Sequence, residues 1–184
     1  MFTDRAQKVV YLRSVAQSSH GGCFGKTGYA AQPGHPSPLL VHSHNDVVSV
    51  SKSLSQLQTE DWAPFAAGIA EGAELVMVGH IALPQAAGDD TPGSLSHVIV
   101  TDFLRGMLGF DGLVVTDSMR MGAIISRLDA GEAAVRAVLA GCDVILMPDD
   151  LPQAIAGVSE AVRSGRIPMA RLDEAVRRRL EVFF

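Results

Sequence analysis

Asp117 follows directly on a short apolar, β-branched run, Leu113-Val114-Val115, which Phe110-Asp111-Gly112 precedes and Thr116 closes. Phe110-Asp111-Gly112 reads as a turn, and Leu113-Val114-Val115 suits a strand buried on both faces. A carboxylate at the carboxyl end of a buried parallel strand is where α/β barrels place their chemistry. The same carboxylate can equally serve only to cap the helix that follows. The histidines are the second group whose type suits chemistry, because an imidazole titrates near neutral pH. His35, His42 and His44 lie close together in the chain, and His80 follows the apolar run Leu75-Val76-Met77-Val78. Two histidines at i and i+2 can share a metal. No acidic ligand pattern accompanies His35, His42 and His44, and Cys23 and Cys142 are isolated, so no metal is expected. Solvated loop histidines are the other reading.

The elements that must position these groups alternate. Leu75–Val78 is the first clear strand, with Gly79-His80 at its carboxyl end. Ile81 to Gly93 is a loop rich in Gly, Pro and Asp, and Ser96 is placed to cap a helix over His97–Leu108. The Asp117 strand follows, then a helix over Gly131–Leu139, a strand over Asp143–Met147, and helices over Leu151–Ser164 and Pro168–Phe184. This order predicts right-handed crossovers and a parallel sheet. Upstream, Thr59–Glu71 reads as a helix with Trp62, Phe65 and Ile69 on one face, started by Thr59 and ended by Gly72. Residues 1–32 are the least legible. Ala6–Ala16 has a loose helical face, and Tyr29-Ala30-Ala31 suits a short strand. Arg177-Arg178-Arg179 reads most simply as a solvated face.

The chain has 184 residues, 47% of them hydrophobic and 19% charged, enough for one core. A net charge of -5 argues against a nucleic-acid surface. No apolar run is long enough to span a bilayer, and Met1-Phe2-Thr3-Asp4-Arg5 leads into no signal-peptide core, so the cytoplasm is the expected compartment. A complete (β/α)8 barrel takes roughly 250 residues, more than this chain supplies.

The stretch Gly109–Ile124 resembles the nucleophile motif of glycoside hydrolase family 3, in particular its β-N-acetylhexosaminidase branch, which reads close to GFDGLVVTDALDMGAI. The resemblance runs from about His44 to the C-terminus. It takes in Glu74–Ile81, Asp90–Ser96, Ala140–Pro148 and Gly165-Arg166-Ile167 in order. It implies a single partial catalytic domain over residues 1–184, with 1–32 poorly matched. The implied fold is about the last four βα units of a TIM-type (β/α)8 barrel. The implied activity is retaining hydrolysis of β-linked N-acetylglucosamine-type glycosides, with Asp117 as nucleophile and His44 as general acid/base. His35, His80 and Met119 would bind substrate, no cofactor would be needed, and the partner would be a small carbohydrate rather than nucleic acid or membrane.

The chain also departs from the family pattern. Where the family reads KHFPGHG, Ala30-Ala31-Gln32 precede Pro33-Gly34-His35 and Pro36 follows them. Where it reads DSH, His42 stands in place of the Asp that partners His44. A second imidazole offers no negative charge to stabilise a protonated His44. These departures keep open a catalytically impaired fragment, a sugar-binding module of a larger barrel, or transfer to phosphate instead of water. An open half-barrel would also leave strand edges unpaired, so self-association or pairing with the missing half is expected.

Overall fold

The computed structural model describes residues 9–12, 23–24 and 46–184. Its sheet has the order β2-β1-β3-β4, with β1 at Val9–Leu12, β2 at Cys23–Phe24, β3 at Leu75–Val78 and β4 at Leu113–Thr116. β1, β3 and β4 are parallel, in register from Val9↔Leu75↔Leu113 to Leu12↔Val78↔Thr116, and β2 runs antiparallel to β1. The fold is α/β with parallel strands. All four residues of β4 are buried, whereas only Val76 and Val78 of β3 are. The continuous apolar run therefore sits where both faces are covered.

Two readings of strands change. Val9–Leu12 lies in a segment with helical spacing, yet it is a strand. A run of four residues matches either period, and pairing along β3 decides in favour of the strand. The segment Asp143–Met147 is not a full strand but a single parallel bridge, Val115↔Val144. Thr116 N–H donates to Val144 O and Val144 N–H to Val114 O, but Leu146 N–H then donates to the Thr116 hydroxyl at 3.0 Å. That hydroxyl replaces the next backbone acceptor, and Met147 turns away with φ 47°. The proposed strand at Tyr29–Ala31 lies outside the described residues.

The helices follow their caps. The first begins at Leu54, not at Thr59, because Ser53 and Gln56 form a reciprocal capping box. After α1 (Leu54–Gln56) the chain widens to an i→i+5 turn over Leu57–Asp61 before α2 (Ala63–Ala70). Thr59 is internal and bonds back to Ser55 O. The loop after β3 contains α3 (Pro84–Ala87), and Val98–Met107 forms a second wide helix. The loop after β4 holds α4 (Gly122–Ile125). α5 (Ala130–Ala140) and α6 (Leu151–Arg163) are capped by the Asp129 and Asp150 carboxylates, and α7 (Met169–Phe183) follows. α5 and α6 approach so closely that a Cβ at Gly157 would lie 2.7 Å from the Gly131 Cα.

The main core joins Val76, Val78 and Val114 of the sheet to Val100, Leu104, Phe110, Ile124 and Ala137. A second cluster packs Trp62 on Phe103, ring centroids 5.5 Å apart, with Leu57 and Leu83. A third, Val135, Val138, Ala161 and Ile167, seals the outer helices.

Candidate active site

The carboxyl ends of β3 and β4 meet at one polar cluster. Asp117 leaves β4 with its N–H donating to Val78 O at 2.8 Å, so β3 fixes where the residue emerges. Its carboxylate Oδ1 accepts the Ser118 N–H at 2.7 Å. Ser118 serves through its backbone, and the Thr116 hydroxyl is directed to Leu146. Met119 N–H donates to Leu146 O at 2.9 Å, which ties the turn after Asp117 to the next chain segment.

His80 stands two residues beyond β3 and is 4% exposed. Its Nδ1 lies 2.7 Å from Ser94 Oγ and its Nε2 2.9 Å from Ser118 O. A carbonyl only accepts, so Nε2 carries the proton. Ser94 is brought there by a turn that packs directly on the end of β3. Gly93 N–H donates to Ile81 O and Ser94 N–H to Gly79 O. A Cβ at Gly93 would meet those two carbonyls at 2.8 and 2.9 Å, so glycine permits the approach.

Burial pushes the His80 pKa below the usual imidazole value, opposed more weakly by its bond to Ser118 O and by the Asp117 charge. In the unfolded chain the group regains its ordinary pKa near 6.5. Between the lowered folded value and 6.5 the unfolded state binds more protons, so stability falls as pH drops through that window. His80→Gln is expected to remove this part of the acid slope. Denaturant midpoints measured from pH 7.5 to 5 for both proteins will show whether the slopes differ.

Met119 is 2% exposed in the main core and lines a cavity of about 250 Å³ together with Leu128, Ile145 and Asp149. Asp46 makes a 3.7 Å ion pair with Arg127, so the segment that begins at Asp46 meets the loop after β4. Val48 and Val50 also hydrogen-bond to Ala82, just beyond His80. His35, His42 and His44 lie outside the described residues. Asp117, His80 and the backbone of Met119 are thus brought together. Ser94, which local spacing does not single out, joins them. Among the described residues no group of three His, Cys, Asp or Glu side chains is placed to hold a metal, and no helix is long and apolar enough to cross a membrane.

At the opposite, amino ends of the strands lies a second polar cluster. The Asp143 side chain is fully buried and accepts Arg105 Nη2 at 2.7 Å, Arg171 Nη2 at 2.9 Å, Arg178 Nη1 at 3.3 Å and Val114 N–H at 3.0 Å. Arg178 therefore does not belong to a solvated face, although its neighbour Arg177 pairs at the surface with Glu181. The adjoining Cys142 is buried, and burial pushes its thiol up to about 12, so it stays protonated.

The sequence profile described as "Glycosyl hydrolase family 3 N terminal domain" matches residues 33–182. The chain belongs to glycosyl hydrolase family 3. It is 37% identical over 175 residues to a beta-hexosaminidase of Xanthomonas oryzae pv. oryzae, an alignment covering 93% of this chain and 50% of that protein. It is 37% identical over 140 residues to a beta-N-acetylglucosaminidase/beta-glucosidase of Cellulomonas fimi, covering 68% of this chain and 25% of the other. A family 3 beta-N-acetylglucosaminidase structure from Paenibacillus sp. superposes with a TM-score of 0.74 at 38% identity, over 76% of this chain and 27% of that one. This family 3 chain thus spans half or less of the length of these relatives. Its parallel strands and intervening helices match part of the barrel-like N-terminal domain of family 3 structures.

Proposed function

We propose that this chain carries the nucleophile half of a retaining glycosidase acting on β-linked N-acetylglucosamine-type glycosides. The observation that carries this reading is Asp117, delivered to the carboxyl end of a buried parallel strand. One of its carboxylate oxygens is held by Ser118 N–H, and the other makes no hydrogen bond to a described residue. Asp117 Oδ2 attacks the anomeric carbon while the glycosidic C–O bond breaks, forming a glycosyl ester. His44 gives its proton to the leaving oxygen, then takes one from the water that cleaves the ester. The substrate class rests on what the Xanthomonas and Paenibacillus relatives are named for.

A second reading is a sugar-binding or catalytically impaired portion of a larger barrel. Two observations favour it, the half-length coverage and Ala30-Ala31-Gln32 in place of Lys-His-Phe. The edge beyond Val144 supports pairing with a second copy or with the missing barrel half. Ile145 and Met147 make no backbone hydrogen bonds to described residues there.

The deciding experiment is release of a chromogenic aglycone from a β-N-acetylglucosaminide by the folded chain, with Asp117→Asn alongside. Turnover lost in the variant supports the nucleophile. No turnover from folded wild-type chain favours the second reading. His42→Asp restores the charge that the family keeps beside this histidine, and it is expected to raise activity several-fold. An unchanged or lower rate would overturn the pairing of positions 42 and 44.

A further inference from the structure

We propose that His80 is a positioning residue rather than a sugar ligand. Seated on Ser94 through Nδ1 and fixed in its Nε2–H form by the Ser118 carbonyl, it holds that carbonyl and with it the turn that keeps the Ser118 N–H on Asp117. This deepens the glycosidase reading and rests on it for its kinetic consequence, but not for its structural one.

The geometry leaves His80 no free nitrogen. The Ser94 hydroxyl donates to Nδ1, and Nε2–H donates to Ser118 O. His80 and Ser94 are 4% and 0% exposed. Ser118 O also accepts the Met121 N–H at 3.2 Å, so this carbonyl anchors both ends of the turn after Asp117. The Ser118–Met119 peptide is thereby gripped on both sides, its oxygen by His80 and its N–H by Leu146 O at 2.9 Å, and the peptide before it gives the Ser118 N–H to Asp117. If the ring switched to its other tautomer, the Nε2 lone pair would face the Ser118 oxygen. That peptide would then have to rotate, breaking the Met119 N–H bond to Leu146 O and loosening the turn that presents the Ser118 N–H to the carboxylate. The Ser118 carbonyl, which can only accept, selects the Nε2–H form, and the Ser94 hydroxyl seats the ring by donating to the bare Nδ1. The titratable groups that bear on the His80 ring are Asp117, whose charge opposes the effect of burial, and Cys142, whose Sγ donates to Ser94 O at 3.4 Å and which remains a neutral thiol.

The test uses three variants of the full chain. His80→Ala removes the donor, His80→Gln keeps a donor at the position of Nε2, and Ser94→Ala removes only the support at Nδ1. ¹⁵N spectra of histidine-labelled wild-type protein should show Nε2 protonated and Nδ1 bare. A protonated Nδ1 with bare Nε2 overturns the proposal. Amide hydrogen exchange supplies a readout that needs no activity. Ser118 protection should fall about tenfold or more in His80→Ala, with Val114 and Val115 of β4 unchanged, and return in His80→Gln. Equal loss at all three amides, or none, overturns the proposal. If His80→Ala does not fold, Ser94→Ala, which frees the ring at Nδ1, decides by the same exchange comparison. Where wild-type turnover is measurable, His80→Ala should lower kcat by up to about 10²-fold with KM changed little, as expected for a misplaced nucleophile. A raised KM with kcat intact would mean that His80 binds sugar. An inactive wild type fails the glycosidase reading alone, because the nitrogen and exchange results still decide the role of His80.

Discussion

Asp117→Asn is expected to reduce turnover of a β-N-acetylglucosaminide by on the order of 10⁴-fold or more, the scale of losing a covalent nucleophile. Asparagine has nearly the same shape, and its side-chain oxygen still accepts the Ser118 N–H, so folding should be unaffected. The amide cannot form the glycosyl ester, which is why the loss falls on kcat and not on substrate affinity. The check is steady-state kinetics on wild type and variant, with circular dichroism confirming equal folding. Mass spectrometry after an activated fluoroglycoside should add one sugar at Asp117 and none in the variant. Label at another carboxylate, or undiminished turnover, would remove Asp117 from the mechanism.

The largest effect on stability is expected far from that site. Asp143→Ala leaves three arginines, each no more than 15% exposed, without their common carboxylate. Burial already disfavours the Arg105 charge, and Asp143 is the leading influence opposing it. Removing one member of such a buried set costs about 3–5 kcal/mol. The remaining bonds from Arg105 to Gly112 O and Gly141 O, and from Arg171 to Val138 O and Cys142 O, put this case at about 3 kcal/mol. For a chain of this length that lowers Tm by about 10 °C. Asp143→Asn separates charge from packing, since it keeps the volume and an acceptor for Val114 N–H. A comparable loss would assign the effect to charge. Thermal melts at pH 7 measure both, and a melting point within 2 °C of wild type for Asp143→Ala would show that the arginines need no such partner.

Several parts of this arrangement could be read along the chain. Leu113–Thr116 is apolar on both faces and ends in polar residues, which placed Asp117 at a strand end. Leu75–Val78 did the same for His80, and the spacing in residues 130–183 marked three helices to within one or two residues. The unread parts depend on contacts between distant residues. The Asp143 partners lie 28, 35 and 38 residues away, so no local spacing joins them. Ser94 acts through a turn whose path is set by the end of β3, not by its own neighbours. The Thr116 hydroxyl, which curtails the ladder at Val144, is an ordinary strand residue until its partner at Leu146 is known.

Trp62 is the only tryptophan in the chain, and it packs on Phe103 in the cluster between α2 and the helix Val98–Met107. Its emission therefore monitors a single layer of the molecule, one that contains no residue of α7. A fluorescence melt will register when that layer opens and remain blind to earlier detachment of the C-terminal helix, which far-ultraviolet dichroism will see. A gap between the two curves would time the order in which the layers separate, with no label introduced.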